Sequence, residues 1–241
     1  MKIAIIGYGK MGKEIEALAI SRGHSISNTF SSNLPFHSDA EIDADVAIEF
    51  STPKLATKHI QLCIQKGIPI VVGTTGWSDQ INNITTEVKK KNGSLLHDSN
   101  FSVGVHLFWE ISKQFAKIMS NNSSYKPTLT ETHHTEKLDQ PSGTAITTAE
   151  ILLKNQNDYK SWELCDVENY KEQILPVVSN RIPDVPGTHE ITYRSDIDNI
   201  SLIHEAKNRK GFALGAVIAA EWLVDKKGTF TMSDIINFTS L

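Results

Sequence analysis

Fifteen residues, Glu131-Thr-His133-His134-Thr-Glu-Lys137-Leu-Asp139-Gln-Pro141-Ser142-Gly143-Thr144-Ala145, hold two imidazoles, an ammonium, carboxylates and a Ser-Gly-Thr helix start. Histidine titrates near neutrality, so it can give and take a proton at working pH. Lys137 adds a fixed positive charge and a second proton donor. Adjacent residues on an extended backbone face opposite sides, so His133 and His134 are not expected to share one ion, and no metal site is expected. Pro141 interrupts the chain and Ser142 reads as the N-cap of the next helix. The N–H groups of Gly143 and Thr144 would then face outward from a positive helix end, where a carboxylate can dock. The chemistry implied is proton transfer beside a bound anion.

A second constellation lies far upstream. Gly7-Tyr8-Gly9-Lys10-Met11-Gly12 follows the apolar run Ile3 to Ile6 and opens a helical period at Met11, Ile15, Leu18 and Ala19. In that setting G-x-G-x-x-G is a dinucleotide turn. Gly7 allows the bend, Gly9 lets a pyrophosphate reach the backbone, and Gly12 lets the helix pack on the sheet. An acid about twenty positions onward normally binds the ribose. Here Asn28-Thr-Phe-Ser-Ser-Asn33 stands in its place, and Lys10 could hold a 2′-phosphate. The expected coenzyme is NADPH or NADH, with NADPH favoured. Gly73-Thr74-Thr75-Gly76 and Asp98-Ser99-Asn100-Phe101 each end a strand at the sheet edge where such ligands bind. A proton-handling loop and a dinucleotide turn on one chain point to hydride transfer to a small anion. The rival reading is a nucleotide-sensing protein without turnover.

Regular elements must hold these residues. Strands at 2–6, 25–30, 45–50, 68–72 and 94–97 alternate with helices at 11–21, 53–66 and 79–92. That order predicts an α/β, Rossmann-like, doubly wound parallel sheet. After Asn100 the pattern changes. Helices at 105–119 and 142–154 accompany strands at 126–133, 174–179, 189–194 and 198–206, the last three reading as antiparallel. They predict an α+β domain for substrate binding and oligomerisation, with a mixed or antiparallel sheet. A helix at 212–224 returns the chain to the first domain. The expected division is 1–104 with 210–241, and 105–209.

Composition narrows the classes. A net charge of −4 over 241 residues argues against a nucleic-acid partner and an anionic membrane surface. No apolar run approaches the length of a membrane span, and the N-terminus reads as a strand rather than a signal peptide, so the cytoplasm is the expected location. Cys63 falls in an apolar helical run and Cys165 has no motif around it, which implies neither a disulfide framework nor a zinc site. A phosphorylating semialdehyde dehydrogenase shares the two-domain plan but needs a nucleophilic cysteine, for which neither residue is suited.

The chain resembles the dihydrodipicolinate reductases (4-hydroxy-tetrahydrodipicolinate reductases) of lysine biosynthesis. Residues 131–145 match their signature Glu-x-His-His-x-x-Lys-x-Asp-x-Pro-Ser-Gly-Thr-Ala in full. The likeness extends to the glycine turn, to Gly73–Gly76, to Asn100-Phe-Ser-Val-Gly104 and to Arg209-x-x-Phe212-Ala-x-Gly215-Ala-Val217. The resemblance implies His133 as proton donor and acceptor and Lys137 as proton donor. It implies His134, Gly143 and Thr144 as the binders of a dicarboxylate substrate. Gly7, Tyr8, Gly9, Lys10, Met11, Gly12, Gly73, Thr74, Thr75, Asp98, Ser99, Asn100, Phe101 and Arg209 would form the coenzyme set. It further implies a homotetramer joined through the second domain's sheet. Three departures stand out. Thr128-Leu129 replaces an acid-aliphatic pair, the loop after the second strand lacks an acid, and the segment between the Ser142 helix and Arg209 is shortened and diverged.

Overall fold

The computed structural model describes residues 1–165, 171–208 and 210–236. In chain order the first elements are β1 (Lys2–Ile6), α1 (Lys10–Ser21), β2 (Ser25–Phe30), β3 (Val46–Glu49), α2 (Pro53–Lys66), β4 (Ile70–Val72), α3 (Ile81–Lys91) and β5 (Ser94–His97). There follow α4 (Val103–Met119), β6 (Lys126–His133), α5 (Gly143–Asn155), β7 (Ser161–Leu164), β8 (Ile174–Arg181), β9 (Thr188–Arg194) and β10 (Asn199–Glu205). The chain closes with α6 (Lys210–Leu223), β11 (Gly228–Phe230) and α7 (Met232–Ile235). Two compact units result: Met1–Val103 with Lys210–Leu241, and Gly104–Arg209.

The first unit is a parallel sheet of order β11-β5-β4-β3-β1-β2. Ile3 and Ile5 face one apolar layer, Ala4 and Ile6 the other. That is why β1 reads as an unbroken apolar run: both faces of a parallel sheet are covered. The chain leaves β1 toward β2 on one side and resumes at β3 on the other. This reversal opens a crevice at the carboxyl ends of β1 and β3, where ligands of such sheets bind. α6 covers one face with Ala213, Ala216, Val217, Ala219 and Ala220, all fully buried. Its close approach depends on Gly215, where a Cβ would stand 1.6 Å from the Phe101 carbonyl oxygen.

The second unit is a sheet of order β10-β9-β6-β8-β7. The strand expected at 174–179 is not antiparallel. β8 runs parallel to β6 and to β7, and only β9 and β10 add antiparallel ladders. The reason is the crossover through α5, which carries the chain back so that the next strands start from the same end as β6. β7 itself was not foreseen, because four residues carry too little periodicity. The sheet's core face is ordered in rows. Leu202, Ile191, Leu129, Val177 and Leu164 stand in register across all five strands. Two positions nearer the carboxyl end of β6 the row becomes polar: His204, His189, Glu131 and Ser179. The apolar rows hold α4 and α5 through Phe108, Trp109, Ala145, Ala149 and Leu152, and the polar row is left for chemistry.

Candidate active site

Glu131 is fully buried at the carboxyl end of the central strand β6. The register sets Ser179 beside it on β8 and His189 beside it on β9. One carboxylate oxygen, Oε1, accepts from Ser179 Oγ at 2.5 Å, from the Ser142 N–H at 3.1 Å and from both terminal nitrogens of Arg181 at 3.3 Å. The other, Oε2, lies 3.0 Å from His133 Nδ1 and 3.9 Å from His189 Nε2. Burial works to raise this carboxyl, but the hydrogen bonds from His133, Ser142 and Ser179 overrule it and hold it well below the usual carboxylate range. Glu131 is therefore an anion in a dry setting, compensated by a ring of donors.

His133 keeps 8% of its surface open. Its Nε2 faces Gly187, where a Cβ would come to 3.0 Å. The missing side chain at 187 is what leaves room before that nitrogen. His189 is pushed down to about 3, chiefly by burial and then by His133, so its ring is neutral at working pH. Its Nε2 lies 3.2 Å from Ser142 Oγ. One ligating atom from each of Glu131, His133 and His189 falls within 4.8 Å of the others, close enough to grip a metal ion. The Arg181 guanidinium, 3.3 Å from the same carboxylate, disfavours a second cation there.

Ser142 caps α5, its Oγ accepting from the Ala145 N–H at 3.2 Å. The N-cap reading therefore holds, and the helix start is tied to Glu131 through the Ser142 N–H. Gly143 opens the helix with nothing within 4 Å of a Cβ there. Thr144, half-buried, follows it in the first turn. Lys137 pairs with both carboxylate oxygens of Asp139 at 2.8 Å. Burial works to raise Asp139, and the Lys137 ammonium brings it below its ordinary value. Arg181 donates to the carbonyls of Lys137 at 3.2 Å, Asp139 at 2.7 Å and Asn180 at 2.8 Å, pinning the loop that carries Lys137. His134 lines a cavity of about 410 Å³ with Thr135, Glu136, Val185, Lys207 and Asn208. His133, Lys137, Gly143 and Thr144 are not in that lining. The structure thus unites Glu131, His133 and the α5 start directly, and sets His134 on a separate wall.

In the first unit, the N–H groups of Gly7 and Tyr8 both donate to the Phe30 carbonyl, which fixes the turn after β1. A Cβ at Gly7 would stand 2.2 Å from the Phe50 carbonyl oxygen, and one at Gly12 would stand 2.6 Å from the Gly7 carbonyl oxygen. Gly9 has nothing within 4 Å of a Cβ. Two glycines are thus required by the protein's own packing and the third faces open space. No acid stands in the first turn of α1, where it would repel a phosphate. Lys10 is exposed and Met11 half-buried, while the Tyr8 hydroxyl donates to Glu16. This cradle fits a dinucleotide.

At the ends of β4 and β5, Thr74 and Thr75 share a cavity of about 310 Å³ with Trp77, His97, Asp98 and Ser99. Gly73 is held under Phe50, whose Cζ would be 2.1 Å from a Cβ. Asp98 has a fixing role: its Oδ1 accepts from the Asn100 N–H and its Oδ2 from the Met232 N–H. Asn100 in turn accepts from the Ser102 N–H, and the Phe101 ring is buried against Phe50. Arg209 lies outside the described residues. Glu49 was missed by sequence reasoning. Fully buried at the end of β3, its Oε1 accepts from Ser51 and faces His59 Nδ1 at 3.2 Å, shaping the corner that fits Gly7 and Gly73. Cys63 is buried, and burial first and Glu49 second push its thiol up, away from nucleophilic use.

Residues 1–101 match the family described as dihydrodipicolinate reductase, N-terminus, and residues 104–236 match its C-terminus. A relative in Christiangramia forsetii, a 4-hydroxy-tetrahydrodipicolinate reductase, is 43% identical over 98% of both chains. One of the same description in Archaeoglobus fulgidus is 33% identical over 98% of this chain and 100% of its own. Among solved structures, a dipicolinate-bound dihydrodipicolinate reductase from Paenisporosarcina sp. TG-14 shares the fold, with a TM-score of 0.78 at 22% identity over 98% of this chain and 99% of that one.

Proposed function

Since this chain belongs to the dihydrodipicolinate reductase family, we propose that it reduces 4-hydroxy-tetrahydrodipicolinate to tetrahydrodipicolinate with NAD(P)H, a step of diaminopimelate and lysine biosynthesis. The observation that carries the reading is the buried carboxylate of Glu131, which gathers an imidazole and a capped helix start within the family's full signature.

The substrate and product differ by one hydroxyl, so the reaction takes up a hydride and a proton and releases water. The bound dinucleotide supplies the hydride. His133 and Lys137 are the proton donors, His133 from a buried ring and Lys137 from a half-buried ammonium held by Asp139. The start of α5 at Gly143 and Thr144 takes one substrate carboxylate, where backbone N–H groups and the helix dipole favour negative charge. His134 contributes to the second. General acid help of this kind is worth about 10²–10⁴-fold.

For the coenzyme, the turn Ser31–Leu34 carries no acid, and the Ser31 hydroxyl is occupied by the N–H groups of Asn33 and Leu34. With the exposed Lys10 across the turn, this favours NADPH, whose extra phosphate gains a cation. A homotetramer and a cytoplasmic setting go with the same reading; Ile203 stands exposed on the edge strand β10, on the face opposite Leu202 and His204, as apolar surface for a second copy.

The test is a coupled assay that makes substrate in place from pyruvate and aspartate semialdehyde with a synthase. Oxidation of either reduced coenzyme should depend on that substrate, with a higher kcat/KM for NADPH. Coenzyme binding without substrate-dependent oxidation would instead support a nucleotide sensor.

A further inference from the structure

Glu131 divides its two oxygens between different duties. Oε1 receives three kinds of donor: the Ser142 N–H, the Ser179 hydroxyl and the Arg181 guanidinium. Oε2 lies 3.0 Å from His133 Nδ1 as an ion-pair contact, and among the described residues both buried atoms are without a hydrogen-bond partner, so each is the nearest group that can satisfy the other. A buried carboxylate accepts only, so the atom facing it must bring a proton.

We propose that Glu131 is a positioning residue that fixes the tautomer of His133, holding the proton on Nδ1 and leaving Nε2, the nitrogen before Gly187, to exchange the proton of the reaction. This rests on the proposed reductase reading, in which His133 is a proton donor.

The surroundings make the assignment one-sided. Among the described residues, the charged and titratable groups on this side are Glu131 on its own strand, Arg181 on β8 and His189 on β9, with the Lys137–Asp139 pair on the following loop and His204 behind His189. Asp139 is taken up by Lys137, Glu131 is the carboxylate in contact with the ring, and His189 is held neutral by burial. Gly187 completes the device. A side chain there would reach 3.0 Å from Nε2, so its absence leaves the working nitrogen an opening toward a reacting atom. Through the Ser142 N–H, the same carboxylate sets the start of α5. One anion thus orients the proton donor and the proposed carboxylate site together.

Glu131→Gln separates this from a merely structural role. Its amide oxygen must occupy the Oε1 place, because three donors converge there. Its NH₂ group then faces His133 Nδ1 and turns that atom into an acceptor, which moves the ring proton to Nε2. The experiment is nitrogen-15 spectroscopy of the histidine rings, at a pH alkaline enough to leave them neutral, on the whole protein and on the variant. Wild-type His133 should carry its proton on Nδ1, and Glu131→Gln should carry it on Nε2. In the variant kcat should fall about a hundredfold, with the coenzyme Kd unchanged. A second variant, Gly187→Ala, should keep the Nδ1 tautomer and still lose turnover by covering Nε2.

A wild-type ring protonated on Nε2 would overturn the proposal without any variant having to fold. So would a variant that keeps the Nδ1 proton and full turnover. The reductase reading fails separately, if the wild-type protein with the correct tautomer never oxidises coenzyme in the presence of substrate.

Discussion

Replacing Gly9 with alanine adds a methyl group to open space, whereas the same change at Gly7 drives it into the Phe50 carbonyl. The two substitutions should part company. Gly9→Ala should leave the melting temperature unchanged and weaken NADPH binding about tenfold or more, because its methyl group meets only the ligand. Gly7→Ala should lower both. Equal coenzyme affinity in wild type and Gly9→Ala, read by fluorescence titration, would remove the pyrophosphate from this turn. At the other constellation, His133→Ala and Lys137→Ala should each lower kcat by about 10²–10⁴-fold with coenzyme affinity intact. The glycine turn was legible in the sequence because its demands are local: a bend, an approach and a packing contact within six residues. The role of Arg181 was not, since Glu131, Lys137 and Asp139 lie far from it in sequence, and that of Glu49 was not, since it needs His59 from the following helix as well as its neighbour Ser51.

The elements explain that difference. Periodicity announces a strand but not its direction, which is why β8 was misread as antiparallel. The polar row His204, His189, Glu131, Ser179 exists only once the register is set, and a shift of one residue would turn each side chain to the other face. The capped start of α5, by contrast, was readable from Pro141-Ser142 alone. Ser142→Ala should cost about 1 kcal/mol and raise the substrate KM while sparing coenzyme binding. Arg181→Met should do more. It frees the loop carbonyls of Lys137 and Asp139 and strands a buried carboxylate without its cation. A loss of roughly 3 kcal/mol in urea unfolding is expected. A variant as stable as wild type would mean that Ser142, Ser179 and His133 suffice to hold Glu131.

Across the whole molecule, the buried row links stability to pH. His189 is pushed down to about 3 from an ordinary value of 6.5, and Glu131 is also lowered. Both groups bind protons more readily when unfolded: the His189 contribution is complete above about pH 6.5 and is lost as pH falls toward 3, and the Glu131 contribution is complete above its ordinary value of 4.5 and is lost further down. His189→Gln should flatten that acid decline, as followed by melting temperature between pH 7 and pH 4. An unchanged slope would show that His189 is not the responsible group. Assembly is testable at the same scale: light scattering should find a tetramer, and Ile203→Lys should shift it toward smaller species if β10 lies at a subunit contact. The central claim concerns turnover itself. Coenzyme deuterated at the transferable nicotinamide position, mixed with freshly generated 4-hydroxy-tetrahydrodipicolinate and enzyme, should yield tetrahydrodipicolinate that carries the label by mass spectrometry. Unlabelled substrate recovered beside fully bound, unoxidised coenzyme would contradict it.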